Sequence, residues 1–149
     1  MTIAVSSPVF NEGDQIPRRF TGDGVDVSPP LSFTGLPEQT AELAVLVEDP
    51  DAPSGTFTHW VMWGIGPDQS SLGEGEVPTG AAQGKNDFGR RSYGGPYPPR
   101  GRSHRYIFEI LALSEPLRLA AGASAADLRR AAAGKVLASG RLTGRYQRR

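Results

Sequence analysis

The chain contains no cysteine among its 149 residues. Disulfides, thiolate-bound zinc and cysteine nucleophiles are thereby excluded. Long apolar runs are missing too. The longest candidate, Leu43 to Val47, runs at once into Glu48 and Asp49, whereas a membrane helix needs roughly 20 apolar residues. No integral membrane segment is expected. The opening Met1-Thr2-Ile3-Ala4-Val5-Ser6-Ser7-Pro8 has neither the basic leader nor the apolar stretch of a signal peptide, so cytoplasmic residence is the expectation.

Net charge is absent as well: 16 basic and 16 acidic residues cancel. A nucleic-acid-binding domain usually carries a basic excess, so no nucleic-acid partner is expected. Several catalytic signatures are also lacking. No Gly-x-Ser-x-Gly elbow occurs, no Walker or Gly-x-Gly-x-x-Gly phosphate loop, and no His-Glu-x-x-His metal spacing. Neither a metal nor a cofactor is expected.

The charge that is present is uneven. Residues 1–84 carry 12 acids against Arg18 and Arg19 alone, whereas residues 85–105 carry Lys85, Arg90, Arg91, Arg100, Arg102 and Arg105 against Asp87. A local basic excess in a neutral chain favours a small anion over an extended polyanion. The same charges could instead pair with the acidic half across a solvated face.

Glycine (19) and proline (13) punctuate nearly the whole chain, the pattern of many short strands joined by turns. No repeat or low-complexity linker interrupts it, and a single domain over 1–149 is expected. Loose alternation predicts a first strand over Ile3 to Phe10. Val27 to Phe33 carries Pro29-Pro30, which confines a strand there to an edge or to its start. Leu43 to Val47 is continuously apolar, as in a strand buried on both faces.

Phe57 to Ile65 alternates, placing Phe57, His59, Val61, Trp63 and Ile65 on one side and Thr58, Trp60, Met62 and Gly64 on the other. Residues 66–84 read as a surface excursion. Arg105 to Leu113 alternates again, and its period sets His104 and Tyr106 on one face with Phe108 and Ile110. One helix is predicted over Ala125 to Ala138. Ser124 is its N-cap, Asp127 its capping-box partner, and Gly140 lies beyond its end. A short last strand, Arg141 to Tyr146, follows. The fold class is mainly β with one C-terminal helix and short peripheral helical turns.

Both histidines of the chain, His59 and His104, follow proline-rich loops. The first loop, Asp49-Pro50-Asp51-Ala52-Pro53, holds two carboxylates in directions stiffened by proline. One of them could orient an imidazole, or each could close an Asx turn on its own backbone. In the second loop, Gly94-Gly95-Pro96, the glycines could offer backbone N–H groups to an anion or simply make a tight turn. Two protonated imidazoles would favour a phosphate or carboxylate. A general acid/base site using Asp49 with His59 or His104 is the alternative, a hydrolase or isomerase acting on a phosphorylated or carboxylated metabolite.

The run Asp-Pro-Asp-Ala-Pro with His59-Trp60, then Gly-Lys-Asn-Asp-Phe-Gly, Gly-Gly-Pro-x-Pro-Pro and His104-Arg105-Tyr106, resembles the phosphatidylethanolamine-binding protein family, in its bacterial Raf-kinase-inhibitor-like branch. The resemblance implies a β-sandwich of two antiparallel sheets with a small anion-binding pocket at one end. It carries pocket roles onto Asp49, Pro53, His59, Gly95, Pro96, His104 and Tyr106, and a structural role onto Asp51. Family members bind phosphate-like head groups, and some regulate kinases or inhibit proteases. Bacterial relatives are often dimers, so a homodimer is among the implied assemblies. Two departures stand out. Tyr97 occupies a place where bacterial relatives often have cysteine, and Phe57-Thr58 stand where eukaryotic ones often have an aromatic-rich loop. The expectation is a non-enzymatic module that binds a small anionic ligand, with a kinase or protease as a possible protein partner.

Overall fold

The computed structural model describes residues 2–149. Its centre is the apolar run noted above, extended to β3, Glu42–Asp49, in which Leu43 to Val47 are all fully buried. A strand apolar on both faces needs cover on both, and β3 has it. It is the middle strand of a five-stranded antiparallel sheet built from β4 (Phe57–Ile65), β6 (Ala82–Gln83), β7 (Ser103–Leu113) and β8 (Val136–Gln147), in the order β6-β4-β3-β7-β8. A smaller sheet of β1 (Ala4–Ser6), β2 (Leu31–Thr34) and β5 (Ser71–Leu72), in the order β1-β2-β5, packs against one face.

The main core lies between the sheets. It joins Phe33, Leu31 and Leu72 of the small sheet to Val45, Val47, Met62, Phe108 and Ile110 of the large one. The other face of the large sheet, with Ala44, Leu46, Val61, Trp63 and Leu111, is covered by the helix α1 (Ala125–Ala132) through Ala125, Leu128 and Ala132. Two antiparallel sheets with one helix agree with the expected fold class. The helical turns reduce to one 3-10 turn at Arg18–Phe20.

Several boundaries differ from expectation for identifiable reasons. The first strand keeps only Ala4–Ser6, and Ser7 turns away to donate its hydroxyl to the Pro30 carbonyl. The second starts only at Leu31, after Pro29-Pro30. The supposed surface excursion contributes β5 and β6, which pair with β2 and β4. The helix begins as predicted, with the reciprocal Ser124–Asp127 capping box, but stops at Ala132 rather than Ala138. Gly134, at φ 79°, supplies the left-handed turn that ends it. Val136 to Ser139 then pair with Leu113 to Leu111, so strand pairing overrides the helical propensity of that segment.

β4 holds the bounds predicted for it but not the faces. Two register shifts against β3 interrupt its alternation, one between Val47 and Glu48 and one between Leu43 and Val45. Each places an extra β4 residue opposite the ladder, as a β-bulge does. The second lies beside Gly64, at φ 75°, and turns Ile65 onto the face of Trp60 and Met62. The first sets His59 out of step with Val61 and Trp63, which pack on the helix side.

Candidate functional site

Antiparallel pairing brings together the end of β3, the start of β4 and the start of β7. Asp49 closes β3 opposite Phe57, and Glu48 lies opposite Ile107 of β7. The residues just beyond those pairs are the ones singled out from the sequence. Asp49, Pro53, His59, His104 and Tyr106 line a cavity of about 190 Å³, with Ala52, Phe57, Phe88, Tyr97, Pro98 and Pro99 as its remaining walls.

Asp49 and His104 form the buried polar floor. His104 Nδ1 lies 2.7 Å from Asp49 Oδ2, and both side chains are 5% exposed. The other carboxylate oxygen, Oδ1, accepts the Asp51 N–H at 2.7 Å. The two alternatives for this acid therefore coexist, an Asx turn on one oxygen and an oriented imidazole on the other. With Nδ1–H donated to Asp49, the free nitrogen of His104 is Nε2. Asp51 faces away and accepts three bonds from Arg105, through its backbone N–H, Nε and Nη2. Those hydrogen bonds hold its carboxyl down at about 2. Asp51 does not line the cavity.

His59 sits in the β4 bulge, which loops rather than strands hold in place. Gly94 N–H donates to the His59 carbonyl at 2.9 Å, and Thr58 exchanges bonds with Asp87. The buried Asn86 accepts from Phe88 N–H and Arg90 N–H, which shapes the loop that presents Phe88. His59 Nδ1 lies 2.7 Å from the Gly94 carbonyl, so Nδ1 carries the hydrogen and Nε2 keeps a lone pair. Its ring is packed among Phe57, Phe88 and Tyr106 at centroid distances of 5.0, 5.4 and 5.2 Å. Burial there pushes its pKa below the usual 6.5, against the opposing pull of the Gly94 carbonyl. Of the two imidazoles, His59 is thus the one whose cationic form burial disfavours.

Tyr106 is 1% exposed, and its hydroxyl meets no hydrogen-bond partner among the described residues. Burial and the neighbouring Asp49 carboxylate keep it protonated, well above the usual tyrosine range. A buried O–H without an acceptor is costly and uncommon. It lines the cavity as a donor beside the Asp49 carboxylate.

Gly95 and Pro96 are not brought to this cavity. Gly95 lines the adjoining one. The N–H groups of Gly94 and Gly95 are taken by the His59 carbonyl and by Asp26 Oδ1, the latter at 2.6 Å, so neither is offered to an anion. The Pro96 carbonyl accepts from Gly22 N–H. The cavity wall also contains no lysine or arginine. Sequence reading missed the lining roles of Phe88, Pro98, Pro99 and Tyr97, although the last three stand in the same proline-rich loop as Pro96.

The described residues form no group of three or more His, Asp or Glu side chains suited to a metal ion, and no helix among them is long and apolar enough to cross a membrane.

The family profile described as phosphatidylethanolamine-binding protein matches residues 6–147. The chain belongs to that family. A UPF0098 protein of Pyrococcus horikoshii is 44% identical over 156 residues, covering 100% of this chain and 78% of the relative. Two solved members of the phosphatidylethanolamine-binding protein family superpose on it closely. The homolog CT736 of Chlamydia trachomatis has a TM-score of 0.93 at 35% identity, with 99% of both chains covered. YbcL of E. coli has a TM-score of 0.93 at 32% identity, with 100% of both covered. A further relative, LppC of Mycobacterium tuberculosis, is 37% identical over 146 residues, covering 97% of this chain and 72% of its own length, and its name marks it as a candidate lipoprotein. Family membership therefore does not fix a cellular compartment.

Proposed function

We propose that the cavity binds a small oxyanion, a phosphoryl or carboxylate group, and that this phosphatidylethanolamine-binding protein family member acts by binding rather than by turnover. The observation that carries the proposal is the unpartnered buried hydroxyl of Tyr106 beside His104 and His59. Donor and acceptor matching specifies the ligand further. Tyr106 offers a hydrogen, neutral His59 offers a lone pair at Nε2, and the wall carries the Asp49 carboxylate without Lys or Arg. A fully ionised dianion meets repulsion here. A singly protonated phosphoryl group, with one O–H to give and charged oxygens to accept, satisfies both sets. Phosphate monoesters exchange that proton near pH 6, so binding strengthens as pH falls from 8 toward 6.

Calorimetric titration of inorganic phosphate into the wild type and Tyr106→Phe tests this. One lost bond to a charged acceptor amounts to about 1.5–3 kcal/mol, or at least about a tenfold loss of affinity. Equal binding by the two proteins would rule the proposal out.

One observation favours a second function. The oriented Asp49–His104 pair is also the geometry of a general base. Acid/base turnover of a phosphoryl or carboxyl ester, or an isomerisation, would then depend on His104. A substrate screen in which folded His104→Ala loses all turnover would support that function; no turnover by the wild type would exclude it for the substrates screened. No surface feature described above points to a kinase or protease partner, and none is proposed.

A further inference from the structure

Beside the His–Asp cavity lies a second one of about 200 Å³, lined by Gly22, Asp26, Phe88, Arg90, Gly95 and Tyr97. Only Phe88 and Tyr97 line both, so these two rings are the wall between them. Each ring rests on a glycine and is capped by a guanidinium. A Cβ at Gly94 would stand 2.5 Å from Phe88 Cδ2, and one at Gly22 would stand 2.7 Å from Tyr97 Cδ1. Any residue larger than glycine at either place would push the ring off its seat. On the outer side, Arg90 Cζ lies 5.3 Å from the Phe88 centroid and Arg148 Cζ 3.9 Å from the Tyr97 centroid.

The two caps are not equivalent. Arg148 is itself anchored, with Nε on Asp23 Oδ1 at 3.2 Å, while the other oxygen of Asp23 accepts the Tyr146 hydroxyl at 2.7 Å. From that anchor Arg148 covers the Tyr97 ring, donates Nη2–H to the Tyr97 hydroxyl at 3.1 Å, and reaches the Pro98 carbonyl at 3.5 Å. Its own carbonyl accepts from Gly101 N–H at 2.8 Å. One residue near the C-terminus thus fixes the face, the hydroxyl and the following backbone of Tyr97. Burial does not fix it, since Tyr97 is 51% exposed.

We propose that Tyr97 determines how long a ligand the anion site accepts, and that Arg148 is the positioning residue that keeps it in the wall. This rests on the anion proposal above. With Tyr97 in place, an oxyanion at His104 and Tyr106 carries only a substituent that fits the first cavity. With Tyr97 displaced, the two cavities run together toward Arg90, and a longer, two-ring substituent fits.

The test measures the affinities of inorganic phosphate, phenyl phosphate and biphenyl-4-yl phosphate for the wild type, Tyr97→Ala, Arg148→Ala and Arg148→Lys. The wild type should bind the biphenyl ester at least about tenfold more weakly than the phenyl ester. Tyr97→Ala should remove that discrimination by improving the biphenyl ester relative to the phenyl ester. Arg148→Ala should move the ratio in the same direction, and its Tyr97 ring signals in a ¹³C-tyrosine spectrum should shift as the guanidinium leaves. Arg148→Lys should fall between. An unchanged ratio in Tyr97→Ala, or an equal weakening of all three ligands, would overturn the assignment, the latter marking a merely structural role. Failure of the wild type to bind phosphate would instead sink the anion proposal itself, and this inference with it.

Discussion

Asp49 holds His104 by one carboxylate oxygen and its own loop by the other. Both contacts are 2.7 Å long and stand at the buried end of the cavity. The same side chain therefore sets the turn after β3 and the tautomer of the imidazole across the sheet, coupling loop shape to site chemistry.

Asp49→Asn separates those two tasks. The amide oxygen can keep the bond from Asp51 N–H, but the amide NH₂ then faces His104 Nδ1 and demands an acceptor there. The expected result is a folded protein in which His104 changes tautomer, to Nε2–H, with a stability loss of about 1–3 kcal/mol. Imidazole ¹⁵N shifts and urea unfolding check the two parts; an unchanged tautomer would show that Asp49 does not set it.

Tyr106→Phe is expected to move stability and binding in opposite senses. Removing a buried hydroxyl that has no partner relieves a desolvation cost, so the variant should be as stable as the wild type or more so. Denaturant midpoints measured without anion test this. A clear loss of stability would mean that the hydroxyl has a protein partner in solution.

His59 is expected to make the protein acid-sensitive. Burial lowers its folded-state pKa, so the unfolded chain takes up the proton first. The stability from keeping His59 neutral is present above the unfolded value of about 6.5 and is lost as pH falls from there toward the folded value. His59→Gln should flatten that part of the stability–pH curve measured by urea unfolding. An equally steep variant curve between pH 6.5 and 5 would assign the effect to other groups.

Gly64→Ala tests the bulge that returns Ile65 to the core. The position has φ 75°, and an added Cβ would stand 3.1 Å from the Gly80 carbonyl oxygen. Left-handed strain alone amounts to about 1–2 kcal/mol, and thermal unfolding should show a loss of at least that size. A neutral substitution would mean that the strand can straighten.

Much of the site was legible because it follows the two-residue period of strands. His104 and Tyr106 share a face, and the bounds of β4 follow its alternation from Phe57 to Ile65. What alternation could not show was where it breaks. The bulge at His59 depends on loop contacts from Gly94, Asn86 and Asp87, all far along the chain. The helix ends six residues before Ala138, the end that Gly140 as a stop signal predicts. Gly134 is the residue in the left-handed turn, whereas Gly140 lies within β8, close against the Ile3 carbonyl. Gly95 lines the neighbouring cavity beside Asp26, and Pro96 lines neither, distinctions that no local pattern in the proline-rich loop carries. The Tyr97–Arg148 clamp joins residues 51 positions apart and has no local signal at all.

The central claim is that one oxyanion sits among Tyr106, His104 and His59. Titration of inorganic phosphate at pH 6.5, followed by the imidazole ¹⁵N and tyrosine ring ¹³C resonances, tests it most directly. The account predicts that signals of all three residues move together along one saturating curve, with His59 remaining neutral. Independent curves for the two imidazoles, or no response from any of the three at millimolar phosphate, would contradict it.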